Sequence, residues 1–100
     1  AIDRETKTVH MTIANPSPDQ DGSARKGTNL FTNAFVTLDL MTGKLRWYFQ
    51  QVHHDLWDYD AGQQPILFDM RVKGRMVKAS AVSSTRSPTL ALPSCHSRMP

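Results

Sequence analysis

Residues 30–50 read LFTNAFVTLDLMTGKLRWYFQ, and they decide the fold class. Ala34, Val36, Leu38 and Leu40 fall on one face of an extended chain. After Met41-Thr42-Gly43, Leu45, Trp47 and Phe49 again take alternate positions. A period of two is the signature of a strand, and two such runs joined by a short glycine-containing loop predict a β-hairpin. Upstream, TVHMTI (8–13) sets Val9, Met11 and Ile13 against Thr8, His10 and Thr12, the pattern of a half-buried strand. Downstream, ILFDMRVKGRMVKA (66–79) predicts a second hairpin turning at Lys73-Gly74. No segment sustains the 3.6-residue apolar period of a helix. The expected class is all-β. Between the first strand and the hairpin, ANPSPDQDGSARKGTN (14–29) is a loop of a length that more often serves function than a short turn does.

A faint internal echo points to repetition. AIDRETK (1–7) and TLDLMTG (37–43) share the spacing of Asp and Thr, so Asp3 maps onto Asp39 at an offset of 39 − 3 = 36 residues. Periods of this size in short antiparallel strands suggest propeller blades. A propeller needs several blades to close its ring, and this chain holds roughly one to two blades' worth of residues. A part of a larger ring is therefore expected.

Composition narrows the function. The chain has 100 residues with a formal net charge of +3, but its basic residues are scattered singly or in pairs such as Arg25-Lys26, which argues against nucleic acid as a partner. No run approaches the ~18 apolar residues of a membrane span, and the start lacks a basic-then-apolar signal layout. Cys95 is the single cysteine, so no internal disulfide and no CxxC metal or haem motif exists.

The stretch HHDLWDYD (53–60) packs two histidines, three aspartates, a tryptophan and a tyrosine into eight residues. In an extended segment Asp58 and Asp60 point the same way, so one can bind a hard cation while the other accepts a proton. Trp57 and Tyr59 then point away, as anchors in apolar packing. The adjacent His53 and His54 face opposite sides and do not suit one metal. The plain alternative is a polar loop in which Asp55 and Asp58 bond nearby backbone amides.

Three motifs together carry a resemblance. TLDLMTGKLRW resembles the A-x-D-x-x-T-G-x-x-x-W tryptophan-docking motif of the quinoproteins, dehydrogenases that use pyrroloquinoline quinone (PQQ) on an eight-bladed β-propeller. HHDLWDYDAGQQPILFD is similar to the segment that follows that motif in the PQQ-dependent alcohol and glucose dehydrogenases, and ANPSPD resembles their loop with a metal-binding Asn. The three occur in family order and cover about residues 1–79. The resemblance implies that Asn15 binds the active-site cation, usually Ca²⁺, and that Asp58 is the catalytic base beside it. Asp60 falls where some members carry an extra carboxylate associated with lanthanides, and so joins Asn15 and Asp58 as a metal-site residue. Gly43 and Trp47 match docking positions, where the indole stacks between blades. Thr37 stands where that motif usually has Ala.

The implied activity is oxidation of a small alcohol or sugar. Asp58 takes the hydroxyl proton while hydride passes to a metal-bound quinone. A cytochrome or quinone is the implied electron acceptor, and the periplasm the implied location. The rest of the propeller is needed for folding, so the 100-residue chain alone is expected to be inactive. A cofactor-free scaffold built from the same docking repeats is the competing reading, but it has no use for Asn15 and Asp58. From about Ser80 the alternation ends, and residues 80–100 depart from the family pattern as a disordered tail or a shifted reading frame would. Arg86 does not match the family's Lys in its surroundings and receives no role.

Overall fold

The computed structural model describes residues 1–82 in full, together with the backbone of residues 89–91. All its regular elements are strands: β1 (Ile2–Asp3), β2 (Thr8–Ile13), β3 (Ala34–Asp39), β4 (Leu45–Gln50), β5 (Ile66–Val72), β6 (Arg75–Val82) and β7 (Thr89–Ala91). The first four form one antiparallel meander and the last three a second. Both expected hairpins are present. Lys73 and Gly74, at φ 50° and 79°, make the two-residue turn that closes Val72 onto Arg75, since two positive φ values match the right-handed twist of the flanking strands.

The repeated Asp/Thr spacing is a repeated turn. Asp3 Oδ1 accepts the amides of Glu5 and Thr6 at 2.9 and 3.3 Å. Asp39 Oδ1 accepts those of Met41 and Thr42 at 2.9 and 3.0 Å. Each turn then passes through a left-handed residue, Lys7 at φ 54° and Gly43 at φ 74°. The two turns lie side by side, the Leu40 amide donating to Lys7 O at 2.9 Å.

The alternation of β3 holds, but the face that β2 buries is the polar one. Thr8 and His10 are buried, while Val9 and Ile13 are half-buried and Met11 is exposed. Register explains this. His10 pairs with Thr37 and Thr12 with Phe35, which pair in turn with Trp47 and Phe49, so these residues share one face. The β5–β6 hairpin packs against that face, where Phe35, Trp47 and Val82 form a buried cluster. The Trp47 indole lies 5.2 Å from the Phe35 ring and nearly parallel to it. The opposite face, with Val9, Val36 and Leu38, is also apolar, so the sheet is built for cover on both sides. A bulge at Thr37/Leu38 pairs Leu45 with Leu38 and so takes Leu45 off the face it was expected to share with Trp47.

Burying His10 and Thr37 is made tolerable by pairing them. His10 Nε2 meets Thr8 Oγ1 at 2.9 Å and Nδ1 meets Thr37 Oγ1 at 3.0 Å. Burial holds the imidazole below its ordinary pKa and keeps it neutral. The threonine at the docking motif's first position therefore leaves no orphaned hydroxyl. Lys78 Nζ approaches Glu5 at 2.6 Å and Asp3 at 3.9 Å across the gap between the sheets, and its cross-strand partner Asp69 at 3.6 Å within the second.

The strand pattern runs past the expected boundary at about Ser80. β6 continues through Val82, and β7 adds Thr89–Ala91 against it. Strand pairing supplied by β6 decides this, not alternation within the short segment itself. Residues 83–88 and 92–100, with Arg86 and Cys95, lie outside the described residues.

Candidate active site and its cation cluster

Two loops meet at one edge of the first sheet. One leaves β2 at Ala14 and runs to β3; the other follows β4 and carries HHDLWDYD. The first loop is tied down by Arg25, whose guanidinium donates to the carbonyls of Pro18 at 3.0 Å, Asp19 at 3.2 Å and Asp55 at 2.5 Å and to Asn29 Oδ1 at 2.5 Å. Arg25 therefore spends its hydrogen bonds inside the protein. His54, at φ 47°, reaches Gly27 O through Nδ1 at 2.6 Å and Thr28 O through its amide at 3.0 Å. A Cβ on Gly22 would lie 2.3 Å from His54 Nε2 and 2.8 Å from Leu56 Cδ2, so glycine is what lets the loops touch.

The second loop folds around Asp55, whose side chain is fully buried. Its Oδ1 accepts the Trp57 amide at 2.8 Å; its Oδ2 accepts the Tyr59 amide at 3.0 Å and Asn33 Nδ2 at 2.6 Å. The amide-capping role thus belongs to Asp55. The residues that the resemblance singled out do something else. Asn15 Nδ2 donates to Asp58 Oδ1, and to Asp60 Oδ1 at 3.0 Å. Residues 15, 58 and 60 are brought together across more than forty positions of sequence.

Asp58 and Asp60 do share a side, as expected, but Asp58 reaches it with φ +60°, so the segment is a bend and not a plain extended run. Trp57 departs from its expected role: it is 61% exposed beside the acids, and its indole lies 6.0 Å from the half-buried Tyr59 ring. His53 is exposed and His54 is occupied with loop carbonyls, so neither faces the cluster.

The donor set suits a hard cation. It offers two carboxylates and an amide, all with oxygen ligands, and Asn15 Oδ1 is buried with no hydrogen-bond partner among the described residues. Among these residues no group of three or more His, Cys, Asp or Glu side chains gathers for a metal. The cluster is open: Asp58 and Asp60 are exposed, and none of the three lines the cavity of about 750 Å³ between the sheets.

Sequence reasoning missed Asn33 and Arg25. Asp55 carried a usable signal, an Asp whose following amides at Trp57 and Tyr59 lie within its reach. Arg25 and Asn33 carried none, because their partners are distant in sequence.

Two antiparallel meanders in an all-strand chain are the architecture of part of a β-propeller. Residues 1–89 match the family model "PQQ: Glucose/ethanol/alcohol dehydrogenase, beta-propeller domain", and the chain belongs to this family. It is 43% identical over 81 residues to the quinoprotein glucose dehydrogenase of Gluconobacter oxydans (strain 621H), covering 79% of this chain and 10% of that protein. The quinohemoprotein alcohol dehydrogenase of Comamonas testosteroni superposes with a TM-score of 0.74 at 32% identity, over 84% of this chain and 13% of that one. A europium-containing methanol dehydrogenase superposes with a TM-score of 0.76 at 28% identity, over 84% of this chain and 15% of that one. The chain thus spans a small part of the length of the relatives it matches.

Proposed function

We propose that this chain is the part of a PQQ-dependent dehydrogenase that oxidises an alcohol or sugar hydroxyl, with Asp58 as the base and Asn15, Asp58 and Asp60 as cation ligands. The observation that carries this reading is the meeting of these three side chains from two loops, Asn15 Nδ2 on both carboxylates and Asn15 Oδ1 buried without a hydrogen-bond partner among the described residues. A scaffold has no need of such a meeting.

When bound, PQQ supplies the two-electron acceptor and the cation the polarisation of its reactive carbonyl. Asn15 would hold a cation through Oδ1, which requires its amide to turn from the orientation in which Nδ2 faces the carboxylates. Asp58 and Asp60 offer one carboxylate oxygen each on the same side. The other oxygen of the exposed Asp58 remains free to accept the proton of a substrate hydroxyl. Ca²⁺ suits the set, and the carboxylate at Asp60 together with the europium-containing relative makes a lanthanide the other candidate. Further ligands and the substrate walls belong to other parts of the enzyme, its electron acceptor is a cytochrome or quinone, and its place is the periplasm.

In a full-length enzyme carrying this segment, Asp58→Asn is expected to abolish turnover while PQQ binding, read by cofactor absorbance, largely survives. Normal turnover with metal and PQQ present would sink the assignment. The 100-residue chain alone, given PQQ and Ca²⁺, is expected to reduce no dye with any alcohol or sugar.

A further inference from the structure

The cation reading leaves a physical problem. Asn15 and the two aspartates sit on separate loops, joined within the cluster only by the bonds from Asn15 Nδ2 to the two carboxylates. Those bonds are given up when the same groups turn their oxygens to a cation, so the element that keeps the loops in register must lie outside the cluster.

Asn33 is placed to do so. It is fully buried, at the base of β3, and sits at φ 47°, a left-handed conformation that Asn tolerates and most residues resist. Its amide donates to Ala14 O at 2.9 Å, fixing the residue next to Asn15. Its carbonyl accepts the Gln51 amide at 2.7 Å, and its side chain donates to Asp55 at 2.6 Å. Asp55 in turn holds the amides of Trp57 and Tyr59, the two neighbours of Asp58. A continuous path of hydrogen bonds therefore runs from the backbone beside Asn15, through Asn33 and Asp55, to the peptide units flanking Asp58. None of its members touches the cluster itself in the bonds described.

We propose that the buried Asn33–Asp55 pair is the positioning element of the cation site, setting the spacing between the Asn15 arm and the Asp58/Asp60 arm. This rests on reading those three residues as cation ligands. Asp55 and Asn33 are positioning residues, not ligands. The pair acts by preorganisation: with the spacing fixed, the ligand oxygens are presented together, and the cost of gathering them is not charged against binding. Loss of outer hydrogen-bond partners of this kind lowers metal affinity by about 10- to 100-fold.

The test uses Tb³⁺ added to a full-length enzyme that carries this segment and has been stripped of its own cation, with emission sensitised by tryptophan, since Trp57 adjoins Asp58 in sequence. The unaltered enzyme is expected to bind, and Asp58→Asn to lose most of the signal. Asp55→Asn puts a donor where Asp55 had only acceptors, and Asn33→Asp places two carboxylates together, so each is expected to weaken Tb³⁺ binding about tenfold or more. The double variant Asn33→Asp/Asp55→Asn restores a donor–acceptor pair in reversed sense, at the expense of the Tyr59 amide's acceptor, and Asp tolerates the backbone at position 33. It is expected to recover part of the affinity lost by either single variant, which a loss due only to poorer folding would not predict. Unchanged affinity in both single variants, or a folded double variant that binds no better than either of them, would overturn the positioning role while leaving the cation reading intact. No emission from the unaltered enzyme would overturn the cation reading, and this proposal with it.

Discussion

The paired turns at Asp3–Lys7 and Asp39–Gly43 and the loop at residues 53–60 use the same side chain for opposite ends. In the turns, and at Asp55, the carboxylate accepts amides two to four residues further on and is consumed locally. At Asp58 and Asp60 the carboxylates take no described backbone amide and face a side chain more than forty residues away. Hydrogen bonds to near amides stabilise a loop and leave little acceptor capacity for anything else. Carboxylates left out of that work are the ones available to a ligand. The difference separates architecture from chemistry within one short segment.

The comparison makes its largest claim at Asp55. Asp55→Ala strips partners from the Trp57 and Tyr59 amides and from the buried Asn33 amide group at once. Unsatisfied buried donors are costly, and the expected loss is about 3 kcal/mol in urea unfolding of a full-length enzyme carrying this segment. A loss near zero would mean that the loop is not organised around Asp55.

How much of this was legible depended on the range of the interactions. The strands came from alternation, and the hairpin turn at Lys73-Gly74 from its turn residues, because both are local. The echo of Asp3 in Asp39 was faint as a string yet is an atomic repeat, since only the acceptor and the amides it meets need to recur. The buried face of β2 was not legible. Its apolar residues also line a face built for cover, and only the register with Phe35 and Trp47 shows which side the second sheet takes. Asn15, Asp58 and Asp60 were readable through family resemblance, whereas Asn33 and Arg25 act on partners that no spacing rule connects. The exposure of Trp57 and the positive φ of the next residue are features that a sequence does not display.

A middle-sized effect is expected at the turns, and acid reveals it. Hydrogen bonds from the Thr42 and Met41 amides hold the Asp39 carboxyl below its usual value of 3.8. At Asp3, burial pushes upward, but bonds from Thr6 and Glu5 and the Lys78 charge outweigh it, so that group is also lowered. A carboxyl with a depressed folded-state pKa stabilises the fold above its unfolded value and loses that contribution as pH falls through the folded one. Stability should therefore drop as pH is taken below 3.8. Asp39→Ala and Asp3→Ala should each lower the urea midpoint at pH 7 and flatten this acid drop. Unaltered acid sensitivity in both variants would break the parallel between the turns.

The smallest effect is expected where the chemistry is richest. Asp58 and Asp60 are exposed, and with no cation their charges repel each other across the Asn15 amide. Asp58→Asn removes one of those charges and keeps the shape. Since no described backbone amide depends on either carboxylate, this change should shift the stability of a metal-free full-length enzyme by no more than about 0.5 kcal/mol, in the stabilising direction if at all. The same Asp58→Asn change is expected to abolish its turnover. A residue whose loss removes activity without removing stability serves the reaction and not the fold, whereas the loss of Asp55, three positions earlier, is expected to take stability with it. A large destabilisation by Asp58→Asn in the metal-free enzyme would return Asp58 to the structural group and dissolve the contrast. Adding Ca²⁺ should then separate the two groups further. It should raise the urea midpoint of the unaltered enzyme by mass action, while leaving that of the Asp58→Asn variant where it was.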